Sequence, residues 1–469
     1  MGSTDINIEN IPTVRTLLGC SLGLITVEAS SSTARLVHFS LQEYISNNPG
    51  LFQSPHSMIA EVCLTYLNFQ CVRELSPTIS SPPSTVPLVG YASIYWGKHM
   101  GREKANSVNP FSLGLLVEFE RHIASQLLLL SYYEDICDTR WWEQGFDERG
   151  GPKGFTGLHA AAFFGLVEIV AALLAMKKWD ISAPDITGKT ALTWAAVRGH
   201  ADVVLLLLEE DINPNPIGTR YWQAPLLLAT GSGHEGIVKL LLEREDIDPN
   251  TADTKYGLTP LILAAISGHE GIVKLLLEQE DINPNTAEKY GETPLLAAAA
   301  GGHEGIVKLL LEREDINPNT AGGMVGQTPL ASAAQGGHAG TVKLLLGRGD
   351  INPNLGARFG RTPLFSATRG GYERIVELLL QREDTNPNTI DLYYGHTPLL
   401  VAAINGYEGV TKLLLGREDI DPDTADTEYG RTLLAWAAKH GHTGVVELLS
   451  GRGDVNPTQH IPAAKRVSN

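Results

Sequence analysis

The chain has 469 residues, of which 43% are hydrophobic and 19% charged, and its formal net charge is −17. A negatively charged chain repels phosphate backbones, which argues against nucleic acid as the main partner, and no apolar run approaches the roughly 20 residues that a membrane-spanning helix needs. The polar N-terminus does not resemble a secretory signal, so we expect an intracellular, cytoplasmic protein.

The stretch RLVHFSLQEYI, Arg35 to Ile45, predicts a short strand followed by a helix. RLVHF has the alternation of a strand, and Ser40 and Glu43 form an S-x-x-E capping box at the start of the helix. His38 therefore lies two residues before a helix N-cap, near the positive end of the helix dipole. On these grounds alone, a histidine at this place is more often a packed or turn residue than a ligand.

Residues 5–100, above all LVHFSLQEY, resemble the winged helix and following helices of NACHT-type regulated NTPases. The closest resemblance is to fungal proteins that join a NACHT domain, a winged helix and ankyrin repeats. It implies that His38 matches a histidine that approaches the phosphates of bound ADP. The sequence shows no credible phosphate loop of a NACHT domain, so we expect His38 to bind nucleotide only if that domain is supplied in trans.

Two apolar stretches, SMIAEVCLTYLNF and LGLLVEFERHIASQLLLLSYY, predict helices on either side of the Pro/Ser-rich loop SPTISSPPSTVP. The segment GFDERGGPKG predicts a domain boundary near residue 150. We therefore expect a partial winged-helix-like module at residues 1–50 and a helical connector at residues 51–150.

From residue 151 the sequence repeats itself every 34 or 35 residues. The segment GHEGIVKLLLE occurs three times, and G-x-T-P-L begins at Gly257, Gly291, Gly326, Gly360 and Gly395. This pattern is typical of ankyrin repeats, and the resemblance covers nine units at residues 151–457. The sequence thus predicts a mainly α fold, an ankyrin-repeat solenoid of about nine helix-turn-helix repeats behind the winged helix and connector. Residues 458–469 are predicted to form a flexible tail.

One unit shows why the repeat folds. Thr293 is placed to cap the first helix, and Pro294 occupies its first position, where a missing N–H costs nothing. Gly302 is placed to end that helix in the left-handed conformation, and Glu304 opens the second helix. The first unit, LHAAAFFGLVEIVAALLAM, is unusually apolar, so we expect it to pack against the segment that precedes it.

Several matches to chemical motifs are interpreted as parts of the repeat. APDITGKT at residues 183–190 is in register with the other repeats, GCSLG at residues 19–23 lacks the context of a nucleophile elbow, and the two RGD tripeptides follow second helices. The recurrent histidines are a repeat length apart and cannot converge on one metal ion. We therefore predict no catalytic residue, metal site or cofactor, and no small-molecule substrate.

A row of aromatic residues supplies the main binding candidates. Tyr256, Tyr290, Phe359, Tyr394 and Tyr429 each precede a repeat glycine, and Trp222 falls nearby in its own unit. They either stack from hairpin to hairpin as a structural ladder or form a binding stripe, since aromatic residues are enriched at binding hot spots. The resemblance to ankyrin proteins places the hairpins and the residues after Ala-Ala on a concave binding face and adds four basic candidates: Arg361, Arg369, Arg431 and Lys439. These make the C-terminal half of that face basic, unless they simply form a solvated surface.

The sequence favours a non-enzymatic scaffold or sensor that binds a protein partner on the concave face of the repeats. The alternative is the regulatory half of a NACHT-type switch, used in non-self recognition or signalling, whose nucleotide-binding domain acts in trans or has been lost.

Overall fold

The computed structural model describes residues 25–28, 33–36, 55–68, 70–75, 89–102, 110–134, 154–185, 187–210, 212–215, 224–422 and 430–451. The chain divides into two compact units, residues 1–247 and 248–469. Within the described ranges the fold is mainly helical, as the sequence predicts.

Two short strands, β1 (Ile25–Glu28) and β2 (Thr33–Leu36), pair in an antiparallel hairpin with Ile25 opposite Leu36. The hairpin overlaps the start of the predicted strand RLVHF. His38 and the predicted capping box lie outside the described residues, so the winged helix stays a prediction.

The connector forms the helices α1 (Pro55–Leu67), α2 (Gln70–Arg73), α3 (Val89–Arg102), α4 (Pro110–Val117) and α5 (Ile123–Glu134). Helix α3 packs against α1 and α5. The predicted helix LGLLVEFERHIASQLLLLSYY is broken, because a 3-10 turn at Phe119–Arg121 separates α4 from α5. Next to this break, the buried His122 donates from Nε2 to the Leu67 carbonyl oxygen at 3.0 Å and accepts the Ala124 N–H at Nδ1.

Three helix pairs of the repeat lie in the first unit. They are α6 (Gly157–Phe164) with α7 (Val167–Ala175), α8 (Ala191–Arg198) with α9 (Ala201–Leu208), and α10 (Pro225–Gly231) with α11 (Glu235–Leu242). First helices pack against the next first helix, and second helices against the next second helix.

Six further pairs lie in the second unit and pack in the same serial way. They are α12 (Pro260–Ser267) with α13 (Glu270–Leu277), α14 (Pro294–Gly301) with α15 (Glu304–Leu311), α16 (Pro329–Gly336) with α17 (Ala339–Leu346), α18 (Pro363–Gly370) with α19 (Glu373–Leu380), α20 (Pro398–Asn405) with α21 (Glu408–Leu415), and α22 (Leu433–His440) with α23 (Thr443–Ser450).

The local chemistry of a repeat agrees with the sequence. The Thr293 hydroxyl accepts the Leu296 N–H at 3.2 Å, and Pro294 begins α14. Gly302 ends that helix with a φ of 70°, which a residue with a β-carbon rarely adopts. Short helices of this kind are marginal alone, so the packing between repeats supplies most of their stability.

The repeated histidines join neighbouring repeats. His303 Nε2 donates to the Ile266 carbonyl oxygen of the preceding repeat at 3.3 Å, and its ring covers Gly268, where a β-carbon would lie 2.7 Å from the imidazole. His200, His338 and His442 make the equivalent bond to their preceding repeats. The interpretation of these histidines as satisfied turn residues agrees with this geometry, and in the described part of the chain no cluster of three ligands could hold a metal ion.

Asparagines join the loops of neighbouring repeats in the second unit. Asn319 donates from Nδ2 to the Asp350 carbonyl oxygen at 2.7 Å and accepts the Asn352 N–H at Oδ1 at 2.9 Å. We call this series the asparagine ladder, and its other members are Asn250, Asn285, Asn354 and Asn388.

The RGD tripeptide at residues 348–350 is part of a similar loop contact. The Arg348 guanidinium forms two hydrogen bonds with Asp350, the shorter at 2.6 Å, and also donates to the Leu311 carbonyl oxygen. The bond from Arg348 holds the pKa of the Asp350 carboxyl below its ordinary value. The second tripeptide, at residues 452–454, lies outside the described residues.

The apolar first repeat packs against the connector, as expected. Phe164 is buried, and its ring meets that of Trp96 edge-on, with centroids 5.1 Å apart. Helix α3 can approach this closely because residue 97 is glycine, where a β-carbon would lie 2.2 Å from the Phe164 ring.

Across the part of the chain that the structure describes, no helix is long and apolar enough to cross a membrane.

Candidate functional site

Four of the predicted binding residues come together in the second unit. Two adjacent cavities, of about 360 and 170 Å³, open where the hairpin before α18 meets α18 and the next hairpin. We call this region the Arg–Phe surface and define it by six residues: Arg358, Phe359, Arg361, Phe365, Arg369 and Tyr394. Arg361, Phe365 and Arg369 line both cavities.

Backbone hydrogen bonds between consecutive hairpins position this surface. The Arg358 N–H donates to the Val325 carbonyl oxygen, and the Leu392 N–H donates to the Phe359 carbonyl oxygen, each at 2.7 Å. Phe359 has a φ of 69°, in the left-handed region that few non-glycine residues adopt. Phe359 as a whole is 41% exposed. Strained backbone of this kind is found preferentially at functional sites, although strain alone assigns no function.

A buried carboxylate supports the second hairpin. Asp391 is 1% exposed, and its Oδ1 accepts the His396 N–H at 2.9 Å and the Tyr394 N–H at 3.3 Å. Its Oδ2 lies 4.0 Å from Nη2 of Arg361. Asp391 thus fixes the turn that carries Tyr394. Its distance from Arg361 is the longest at which the two side chains still form an ion pair.

The arginines of the Arg–Phe surface differ from most others in their unit. Five arginines elsewhere hold a carboxylate oxygen within 2.8 Å: Arg313, Arg348, Arg374, Arg382 and Arg417. Among the described residues, Arg358 and Arg369 have no such partner, and the Nε of Arg361 is buried without an acceptor. Arg361 instead lies over two rings, 5.9 Å from the Phe359 centroid and 6.0 Å from that of Phe365. The surface therefore carries positive charge that its own side chains scarcely neutralise.

Aromatic and aliphatic side chains surround these arginines. Tyr393, which is 63% exposed, meets the Phe359 ring edge-on at 5.9 Å, and Tyr394 stacks on His396 at 5.3 Å. The exposed Val325 lies on the rim of the larger cavity. Such a mixture of arginine, tyrosine and phenylalanine is enriched at the centres of protein interfaces.

Other predicted residues lie apart from the two cavities. Tyr256 and Tyr290 precede their glycines as expected, and Tyr290 is 50% exposed, but neither lines a cavity of the Arg–Phe surface. Among the described residues, no ring contact joins Tyr256 to Tyr290 or Phe359 to Tyr394, whereas backbone bonds do join the hairpins. Both roles weighed for these aromatics, ladder and binding stripe, therefore stay predictions.

The last repeat has its own basic and aromatic group. Arg431 lies 4.9 Å from the centroid of the Trp436 ring and Lys439 lies 4.5 Å from it, while His440 stacks on the same ring. These two predicted residues thus belong to a second group rather than to the Arg–Phe surface. His38, Trp222 and Tyr429 lie outside the described residues.

Sequence reasoning did not find Phe365, Arg358 or Tyr393. Phe365 occupies the position that Leu296 and Leu400 hold in other repeats, so comparing repeats position by position could have identified it. Tyr393 was not identified because it does not directly precede a repeat glycine, whereas its neighbour Tyr394 does.

The phosphate-loop match at residues 183–190 is a repeat hairpin. Asp185 accepts the N–H groups of Thr187 and Lys189, and Thr190 caps α8 by accepting the Thr193 N–H. The turn is therefore held by a carboxylate, which would repel a phosphate.

Comparisons with known proteins identify the repeats. A family profile described as "Ankyrin repeats (3 copies)" matches residues 120–217, 226–322, 318–391 and 383–459, which together make up more than half of the chain. A human protein, "Ankyrin repeat domain-containing protein 7", is 35% identical over 83 residues, or 18% of this chain. That match spans 31% of the human protein, so the chain is similar to only part of this relative.

Proposed function

Because the chain belongs to the ankyrin-repeat family, we propose that it is a non-enzymatic scaffold or sensor that binds a protein partner through the Arg–Phe surface. Ankyrin repeats generally mediate protein–protein interaction and are generally not enzymes. What is specific to this chain is the position of the binding surface, on α18 and the two hairpins beside it.

The observation that carries the proposal is a concentration of arginines, of which only Arg361 has a carboxylate of the described residues within 4.0 Å, beside exposed aromatic rings. Arg361 and Arg369 line both cavities, and Phe359 forms an exposed rim. Arginine and aromatic side chains account for much of the binding energy at protein interfaces, because they bury apolar area and make directional hydrogen bonds together. Elsewhere in the same unit, Arg313 and Arg382 instead hold their own repeat loops.

The experiment is affinity capture with the full chain in three forms. We expect partners captured by the unmodified protein to be lost with the double variant Arg361→Glu/Arg369→Glu and retained with Arg374→Glu. Arg374 lies on α19, pairs with Glu377 and is 60% exposed, so it tests a charge change away from the surface. Equal capture by both variants would refute the surface, provided that thermal melting shows both to be folded.

A pair of tyrosines gives a finer test of the same proposal. Tyr394 lines the smaller cavity, whereas Tyr290 lies three hairpins earlier and lines neither. We expect Tyr394→Ala to reduce capture of the same partner and Tyr290→Ala to leave it unchanged. The reverse result would move the binding site toward the start of the second unit.

The alternative, a regulatory half of a NACHT-type switch, rests on the resemblance of residues 5–100 and stays a prediction. His38 would then approach nucleotide supplied with a domain in trans. Calorimetry with ADP should show no binding to this chain alone under either hypothesis, while tighter ADP binding by a mixture with a NACHT domain than by that domain alone would favour the switch.

A further inference from the structure

We propose that the Arg–Phe surface binds an acidic peptide segment in which carboxylates flank an apolar side chain. This inference rests on the proposed function and names the chemistry of the partner. It follows from two features of the cavities: arginines line them, and apolar side chains form their floor and part of their rim.

The charges favour an acidic occupant. Two positive side chains, Arg361 and Arg369, are shared by both cavities, and Arg358 adds a third at the larger one. The one acidic side chain among the described lining residues is Asp391, which is 1% exposed and occupied by its own turn. The whole chain carries a net charge of −17, so this group of arginines is a local exception to the charge of the chain as a whole. Such contrast attracts an acidic segment and orients it on the surface.

The state of Arg361 favours a carboxylate in particular. Its Nε is buried without an acceptor, and its Nη2 lies 4.0 Å from Asp391, beyond hydrogen-bonding distance. A buried donor without an acceptor costs free energy, which a bound acceptor would recover. A small rotation of the guanidinium would present Nε and one Nη nitrogen together. A carboxylate is the protein group that matches this fork with two parallel hydrogen bonds.

The cavities favour an apolar side chain between the charges. Phe365 is buried and forms a floor common to both cavities, while Val325 and Phe359 stand exposed on the rim of the larger one. The smaller cavity adds the buried Val401. The larger cavity, about 360 Å³, reaches the size at which small-molecule sites begin, so a side chain the size of leucine fits it.

The same features make nucleic acid a poorer occupant. A phosphate backbone would satisfy the arginines, but the net charge of −17 would repel its extended charge along the rest of the chain. A short acidic peptide avoids this repulsion because its negative charge is confined to the Arg–Phe surface.

The test measures fluorescence anisotropy of short labelled peptides with the full chain. Each peptide has a leucine between two glutamates in a Gly/Ser background, and the set varies the spacing of the glutamates. Matched peptides replace both glutamates with glutamine, or the leucine with serine. The protein forms are unmodified chain, Arg361→Gln, Arg369→Gln and the control Arg374→Gln.

We expect at least one acidic peptide to bind, and each of Arg361→Gln and Arg369→Gln to weaken it by about tenfold or more. Arg374→Gln should leave its affinity unchanged. The glutamine peptides should bind no better to the unmodified chain than to the variants, and the serine peptide should bind more weakly than the leucine peptide.

Three results would overturn the inference: acidic peptides that bind no better than their glutamine counterparts, equal affinities for Arg361→Gln and Arg374→Gln, or tighter binding of a single-stranded oligonucleotide. Failure of the peptides, together with partner capture that depends on Arg361 and Arg369, would remove the acidic segment and leave the proposed function standing. If the substitutions at Arg361 and Arg369 do not change partner capture, the proposed binding surface itself is refuted.

Discussion

Gly157 lies directly against the backbone of Leu116, and a β-carbon at position 157 would be 2.1 Å from the Leu116 carbonyl oxygen. This contact joins α4 of the connector to α6 of the first repeat. Because the obstacle is backbone rather than a flexible side chain, it fixes how closely the two helices approach.

The first prediction follows from this contact. Gly157→Ala should destabilise the first unit by about 1–3 kcal/mol, because the new methyl group forces α4 away from α6. Gly236 in α11 is the matched control, since nothing lies within 4 Å of a β-carbon added there. Gly236→Ala should instead stabilise by about 0.5–1 kcal/mol, through lower chain entropy in the unfolded state. Thermal melting measures both, and a stabilised Gly157→Ala variant would show that the close contact does not exist.

The second prediction concerns removal of the connector. A chain that starts at residue 154 would expose Phe164, which in the intact protein is buried beside Trp96 and Gly97. We expect this shortened chain to have a lower melting temperature and to aggregate, because an exposed aromatic surface on a terminal repeat promotes association between molecules. Size-exclusion chromatography and melting curves measure the effect.

Phe164→Gln in the shortened chain is the control for that experiment. It should restore solubility, because it replaces the exposed ring with a polar side chain, while in the full chain the same substitution should destabilise. A monomeric shortened chain as stable as the full protein would refute the role of the connector as a cover.

Much of the repeat could be predicted from the sequence, because its determinants are local. Thr293, Pro294 and Gly302 act within one turn of helix, so their order along the chain is sufficient to place them. The break between α4 and α5 could not be found in the same way. LGLLVEFERHIASQLLLLSYY is apolar on nearly every face, and a segment without periodicity gives no sign of where a helix stops.

The contacts between repeats were missed for a different reason. The bond from Asn319 to the Asp350 carbonyl oxygen spans 31 residues, and the repeat period alone does not say which atoms of two loops meet. The Arg–Phe surface could not be predicted for the same reason. Phe365 and Tyr394 come together because consecutive hairpins and first helices pack side by side, which depends on geometry rather than on spacing in the sequence.

The third prediction concerns the asparagine ladder. Asn319→Ala removes two hydrogen bonds to the next repeat and should lower the free energy of unfolding by about 1–2 kcal/mol. Asn405→Ala is the control, because the Asn405 amide bonds within its own helix, to the Val401 carbonyl oxygen. Urea denaturation followed by circular dichroism compares the two, and equal midpoints would mean that the ladder contributes no stability.

The fourth prediction is a pH dependence that arises in the connector. The pKa of His122 is lowered from its ordinary value near 6.5 to about 4, mainly by burial and in part by the charge of Arg73, while the bond to the Leu67 carbonyl opposes both effects. Between these pH values the unfolded chain binds a proton at His122 that the folded chain does not bind. The free energy of unfolding therefore falls as the pH decreases, by about 2 kcal/mol between pH 7 and pH 5 from this residue.

His122→Gln isolates that contribution. Glutamine keeps a donor and an acceptor but does not titrate, so the variant should be less stable than the unmodified chain at pH 7 and should lose less stability on acidification. Urea midpoints at pH 7, 6 and 5 measure the two slopes. Most carboxylates titrate below this range, so the difference between the slopes reports on His122. Parallel curves for the two proteins would show that His122 binds its proton equally well in the folded and unfolded states.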